Sequence, residues 1–232
     1  MTVTRKTKND ANNNQTILLI GIIVAAVIVA IAAIVLSSTN TGLSTTEINY
    51  DEIPQSRTED GAFVLGNPDA TVTFVLFEDF LCPHCQAYQS TLKDMMKELI
   101  VTGEANFEFR MVQTNQVSYI PFGLAECADI LEPGSFWEAH DTLFQLAASQ
   151  SFNEETPRKF AEEMGLPYGD LLTCQKDADQ YVTDGQFVQQ FDWFSGTPAV
   201  GVRKNDGPVL QDALLAGRPT VEQYRMVVEQ AQ

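Results

Sequence analysis

Two cysteines separated by two residues, in Cys82-Pro83-His84-Cys85, are the part of this sequence best suited to do chemistry. A thiol is a nucleophile only as its thiolate, so such a pair needs a setting that stabilises negative sulfur. A helix N-terminus is one, with partial positive charge and N–H groups that lack an intrahelical partner. Cys85, Tyr88, Leu92, Met95, Met96 and Leu99 recur at spacings of three and four, which predicts one apolar helical face running on from the motif. Pro83 suits the first turn, where its missing N–H costs nothing. Cys82 is therefore expected at a helix start, with Cys85 one turn on. The roles follow. Cys82 attacks or is attacked first, Cys85 closes the disulfide or resolves a mixed one, and His84 adds positive charge or a hydrogen bond. The competing reading is half of a zinc site. Zinc needs four ligands, and Cys127, Cys174 and His140 stand alone without a second close pair.

The motif needs a strand to deliver it. Thr71 to Phe77, β-branched and aromatic, reads as a central strand buried on both faces. Phe63 to Leu65 suits a short edge strand before the turn Gly66-Asn67-Pro68-Asp69. Ala105 to Val112 alternates Phe107, Phe109 and Met111 with Glu108 and Arg110, the pattern of a half-buried strand. Helices are expected from Pro121 to Leu131, around Phe136 to Phe144, from Thr156 to Gly165, and along Tyr181, Val182, Val188 and Phe191. Ala199 to Val202 reads as a strand that Asn205-Asp206-Gly207 turns into Val209-Leu210, a hairpin. Thr220 to Gln223 is a capping box opening a last helix. This order gives an α/β sheet with helices on both faces and a helical insert.

The net charge is −17 over 232 residues. Beyond residue 36, 11 of the 14 cations face 30 of the 31 acids, a surface that repels phosphate backbones and argues against nucleic-acid binding. The four cysteines are an even number, as an oxidising compartment favours. Thr16 to Leu36 holds 21 residues with no charge and no proline. That is enough to cross a hydrocarbon layer of about 30 Å. Arg5, Lys6 and Lys8 precede it, so residues 1–15 are expected in the cytoplasm and the rest outside, with the chain a single-pass protein of the cell membrane. A cleaved signal peptide is the alternative, although its apolar region would be shorter, roughly 7–15 residues. Residues 37–59, rich in Ser, Thr and Asn, read as a flexible linker, and 60–232 as the folded domain.

Several segments together resemble the exported disulfide-bond-forming (DsbA-like) thiol–disulfide oxidoreductases of the thioredoxin superfamily. They are Gly66-Asn67-Pro68-Asp69-Ala70, Phe77 through Cys85, Ala125-Glu126-Cys127-Ala128, Phe136-Trp137-Glu138-Ala139-His140-Asp141, Leu143-Phe144 and Ser195-Gly196-Thr197-Pro198. The resemblance covers roughly residues 60 to 231. Thr197 lies 86 positions after Met111, a gap that plain thioredoxin does not have and that this family fills with a helical domain, here at about 115–194. The resemblance implies a thioredoxin fold with that insert, a cis Pro198 beside the cysteines, and a Thr197 backbone on which an unfolded substrate pairs as an extra strand. From the residues alone, cis and trans at Pro198 stand level. The resemblance and the even count also imply a structural disulfide between Cys127 and Cys174; two buried free thiols are the alternative.

One departure stands out. The family commonly carries a buried glutamate six residues before the first cysteine, and here that position is Leu76. Glu78 and Asp79 lie two and three residues out of register, and Asp79 reads equally well as a surface turn residue, so neither is assigned as proton acceptor for Cys85. The expected function is an oxidase without bound cofactor or metal. It would donate the Cys82–Cys85 disulfide to exported proteins and be re-oxidised by a quinone-linked membrane partner, as the resemblance implies. A reductase or isomerase of the same fold is the alternative, and a membrane-tethered metal-binding or docking protein the alternative of another class.

Overall fold

The computed structural model describes residues 48–149, 152–205 and 207–231. Residues 1–15, the expected span 16–36 and the linker as far as residue 47 lie outside the described residues. Among the described residues no helix is long and apolar enough to cross a membrane.

The sheet is built on β3 (Val72–Glu78), buried at every position except Thr73. β4 (Ala105–Met111) runs parallel to it, with Val72 opposite Ala105 and Glu78 opposite Met111. A parallel pair needs a crossover, and α1 (Pro83–Met95), continued by a π turn at Met96–Ile100, supplies it. β5 (Ala199–Lys204) lies antiparallel on the other edge of β3. β2 (Phe63–Gly66) lies antiparallel on β4 and β1 (Gln55–Arg57) antiparallel on β2, giving the order β1-β2-β4-β3-β5. The insert comprises α2 (Tyr119–Leu131), α3 (Phe136–Ser149), α4 (Thr156–Glu163), α5 (Tyr168–Cys174) and α6 (Gln180–Val188), and α7 (Val221–Glu229) closes the chain. Thr220 and Gln223 form the reciprocal cap at the start of α7.

The strand period of two divides the core. Phe74, Leu76, Phe107 and Phe109 meet Tyr88 and Leu92 of α1, Phe122, Trp137 and Phe144 of the insert, and Tyr224 of α7. On the other face Val75 and Phe77 meet Val188 with Phe187, Phe191, Trp193 and Phe194. Burying side chains of this size contributes about 1.5–3 kcal/mol each, so both faces hold the strand that carries the motif. Within the insert, Cys127 of α2 and Cys174 of α5 are joined by a disulfide with an S–S distance of 2.01 Å.

Three expectations need correction, and one element was not expected. Residues 48–59, given to the linker on composition, carry a 3-10 turn at Tyr50–Glu52 and β1. Ile53 is buried, and the Tyr50 hydroxyl donates to Asp141 at 2.8 Å; an edge strand needs few apolar residues to be held. β4 is buried throughout, because α6 of the insert covers the face that alternation leaves to water. There the Arg110 guanidinium meets Glu108 at 2.7 Å, Asp60 at 2.7 Å and Asp184 at 3.1 Å, and lies 3.9 Å over the Phe187 ring. Val209-Leu210 makes no second hairpin strand. Leu210 forms one bridge with Val202, and Pro208 lacks the N–H that would extend the ladder. Asp206 of that turn lies outside the described residues. The short helix α5 has no counterpart in the sequence reading.

Candidate active site

Cys82 is the N-cap of α1, with extended backbone (φ −76°, ψ 119°), and Pro83 opens the helix. The turn before it is tightly held. The Cys82 N–H donates to the Asp79 carbonyl at 3.0 Å, and the Gln86 side chain donates to the Phe80 carbonyl at 2.8 Å. Pro83 and His84 are exposed, while Cys85 is fully buried one turn along the same helix. Both cysteines are free thiols. The first helical N–H groups are thus directed toward the end of the helix where Cys82 sits.

The second wall is the segment entering β5. Thr197–Pro198 is a cis peptide. The Cys82 thiol lies 3.5 Å from the Thr197 carbonyl. The Thr197 hydroxyl is buried without a conventional hydrogen-bond partner and faces the Cys85 sulfur. Between the end of β4, α6 and Phe194, three residues before Thr197, lies an open cavity of about 640 Å³, lined in part by Val112, Gln113, Tyr181, Val188 and Phe191.

Cys85 and Glu78 are electrostatically linked. Burial pushes the Cys85 thiol far up, and the negative charge of Glu78 adds to this; the Asp79 N–H and the Thr197 hydroxyl oppose it. Glu78 is fully buried, and that burial pushes its carboxyl up to about 8, against the opposing hydrogen bonds from Gln89, with charge at Cys82 adding to the rise. The Gln89 amide reaches both Glu78 oxygens, at 3.2 and 3.4 Å, from the half-buried side of α1. A carboxyl that titrates near neutrality beside a buried thiol can give it a proton or take one.

A family model described as thioredoxin matches residues 58–213, well over half of the chain. The chain belongs to the thioredoxin family. Among curated relatives it is 32% identical over 102 residues to "Disulfide bond formation protein D" of Bacillus subtilis, a match covering 43% of this chain and 46% of that protein. It is 27% identical over 159 residues to "Na(+)/H(+) antiporter NhaA 3" of Salinispora tropica, covering 66% of this chain but 24% of that one. The chain therefore spans less than half the length of these relatives. Among solved structures, alpha-DsbA1 of Wolbachia pipientis is similar with a TM-score of 0.65 at 16% identity, over 75% of this chain and 92% of that one. Oxidised BdbD of Bacillus subtilis is similar with a TM-score of 0.59 at 24% identity, over 72% and 91%. Both likenesses concern the fold.

In this thioredoxin-family domain the structure gathers Cys82, Pro83, His84, Cys85, Thr197 and Pro198 at one place and sets the Cys127–Cys174 disulfide apart, in the insert. Glu78 is the residue that sequence reasoning passed over. Its displacement from the family position is two residues, and side chains two apart on a strand share a face. Leu76 and Glu78 therefore point the same way, toward α1. Asp79 is likewise no surface residue, being fully buried.

Proposed function

We propose that this chain is a membrane-anchored thiol–disulfide oxidoreductase acting outside the cytoplasm, and that it works as an oxidase on exported proteins. The observation that carries the reading is the position of Cys82, at the start of α1 and 3.5 Å from the Thr197 carbonyl beside cis Pro198. The name of the B. subtilis relative, disulfide bond formation protein D, supports the oxidising direction. The uncharged run 16–36 supports the anchor, with re-oxidation by a quinone-linked membrane partner.

In the oxidised enzyme a substrate thiolate attacks Cys82 and the Cys82–Cys85 bond breaks. Cys85 leaves carrying the electron pair, and a buried thiolate there is unfavourable, so protonated Glu78 supplies its proton. A second substrate thiolate then attacks the substrate sulfur bonded to Cys82, releasing an oxidised substrate and a reduced enzyme. In reverse, Glu78 takes the proton from Cys85 and frees it to resolve the mixed disulfide. The substrate chain lies against the Thr197 backbone as an added strand. The test compares refolding of a reduced substrate protein with refolding of a scrambled one. Net oxidation of the reduced substrate, abolished by Cys82→Ser, is expected. Rescue of the scrambled substrate alone would assign an isomerase instead.

A further inference from the structure

Asp79 is a fully buried carboxylate to which the exchange chemistry gives no part. Four donors converge on it. One oxygen accepts from the Leu81 N–H at 2.9 Å. The other accepts from the Thr114 N–H at 2.8 Å, the Thr114 hydroxyl at 2.7 Å and the Ser118 hydroxyl at 2.7 Å. The first bond lies within the turn that delivers Cys82. The other three reach the segment between β4 and α2, where the chain enters the insert and where Gln113 lines the cavity. The main chain of Asp79 serves the same turn, since its carbonyl accepts from the Cys82 N–H at 3.0 Å and its own N–H faces the Cys85 sulfur.

Satisfying a buried carboxylate with four donors fixes its orientation, and withdrawing donors leaves a costly anion that turns toward water. Asp79 cannot turn without moving Leu81 and Cys82. We infer that Asp79 is a positioning residue that sets the reactivity of the Cys82–Cys85 pair by clasping their turn to the first residues of the insert. The inference rests on the thiol–disulfide reading of the pair, but its test uses no substrate protein.

The full chain is compared with Thr114→Val/Ser118→Ala, which removes two donors and changes no charge. Phe160→Leu, in the insert core, serves as a destabilised control. The readouts are the equilibrium constant with glutathione, the rate of Cys82 alkylation at pH 7, and the melting temperature. When the turn loosens, the N–H groups no longer converge on the sulfurs, and the reduced form loses stabilisation. The double variant is expected to shift the glutathione equilibrium at least threefold toward a weaker oxidant and to slow alkylation by a similar factor. Phe160→Leu should lower the melting temperature and leave both within a factor of two. If the double variant does not fold, Ser118→Ala alone should give a smaller shift of the same sign. A variant that only melts earlier, with both redox readouts unchanged, overturns the inference, as does a shift toward a stronger oxidant. Loss of protein-oxidising activity in the parent chain would overturn the proposed function and leave these readouts intact.

Discussion

A Glu78→Gln variant separates the stability of this domain from its chemistry. Burial raises Glu78 from 4.5 to about 8, so at pH 7 the folded chain holds a proton that the unfolded chain has released. The folded state binds more protons across this window, and stability therefore falls as pH rises from about 4.5 toward 8. At about 1.4 kcal/mol per unit, holding that proton at pH 7 costs the fold about 3 kcal/mol. Glutamine has no proton to hold and keeps a carbonyl for the Gln89 amide. In urea unfolding of the reduced chain, the variant should be more stable by less than about 1 kcal/mol at pH 5 and by about 4 kcal/mol at pH 8. The same substitution removes the group that exchanges a proton with Cys85. Single-turnover oxidation of a small thiol substrate should slow about 100-fold at pH 7. A stability difference that does not change with pH would refute the buried-acid argument. An unchanged exchange rate would refute the proton transfer.

Three further outcomes follow from the packing and the thiols. Arg110→Met leaves Asp184 buried without its cation and Glu108 with Arg203 alone, and should cost about 3–5 kcal/mol in denaturant unfolding, with the Cys82–Cys85 equilibrium unchanged if the cluster is purely structural. Cys127→Ser/Cys174→Ser opens a loop with a sequence separation of 47 and should cost up to about 4 kcal/mol, while thiol counting still finds the Cys82–Cys85 pair able to cycle. Cys85→Ala should trap a mixed disulfide between Cys82 and a substrate, visible as a reducible higher-mass band, and Cys82→Ser should trap none.

Much of the fold is legible because its strands and helices obey simple periods. The apolar run of β3, the three-and-four spacing of α1 and the Thr220–Gln223 cap each announce themselves locally. What the sequence conceals is set by contacts between distant segments. Glu108 and Arg110 look solvent-facing until α6, more than 70 residues on, lays Asp184 and Phe187 over them. Asp79 reads as a turn residue until Thr114 and Ser118 close on it. The motif itself shows in its spacing, and the cis proline only in its context. Glu78 was readable in principle: a shift of two on a strand preserves the face, and counting residues from the cysteine obscured what counting faces would have shown.

The reduction potential of the Cys82–Cys85 pair tests the oxidase reading most directly. Reduced and oxidised chain are equilibrated with glutathione at pH 7 and the free thiols counted after acid trapping. Thioredoxin lies at about −270 mV and the strong oxidant DsbA at about −120 mV. A value well above −270 mV, toward the oxidising end, is expected; a value at or below −270 mV would contradict an enzyme that donates its disulfide.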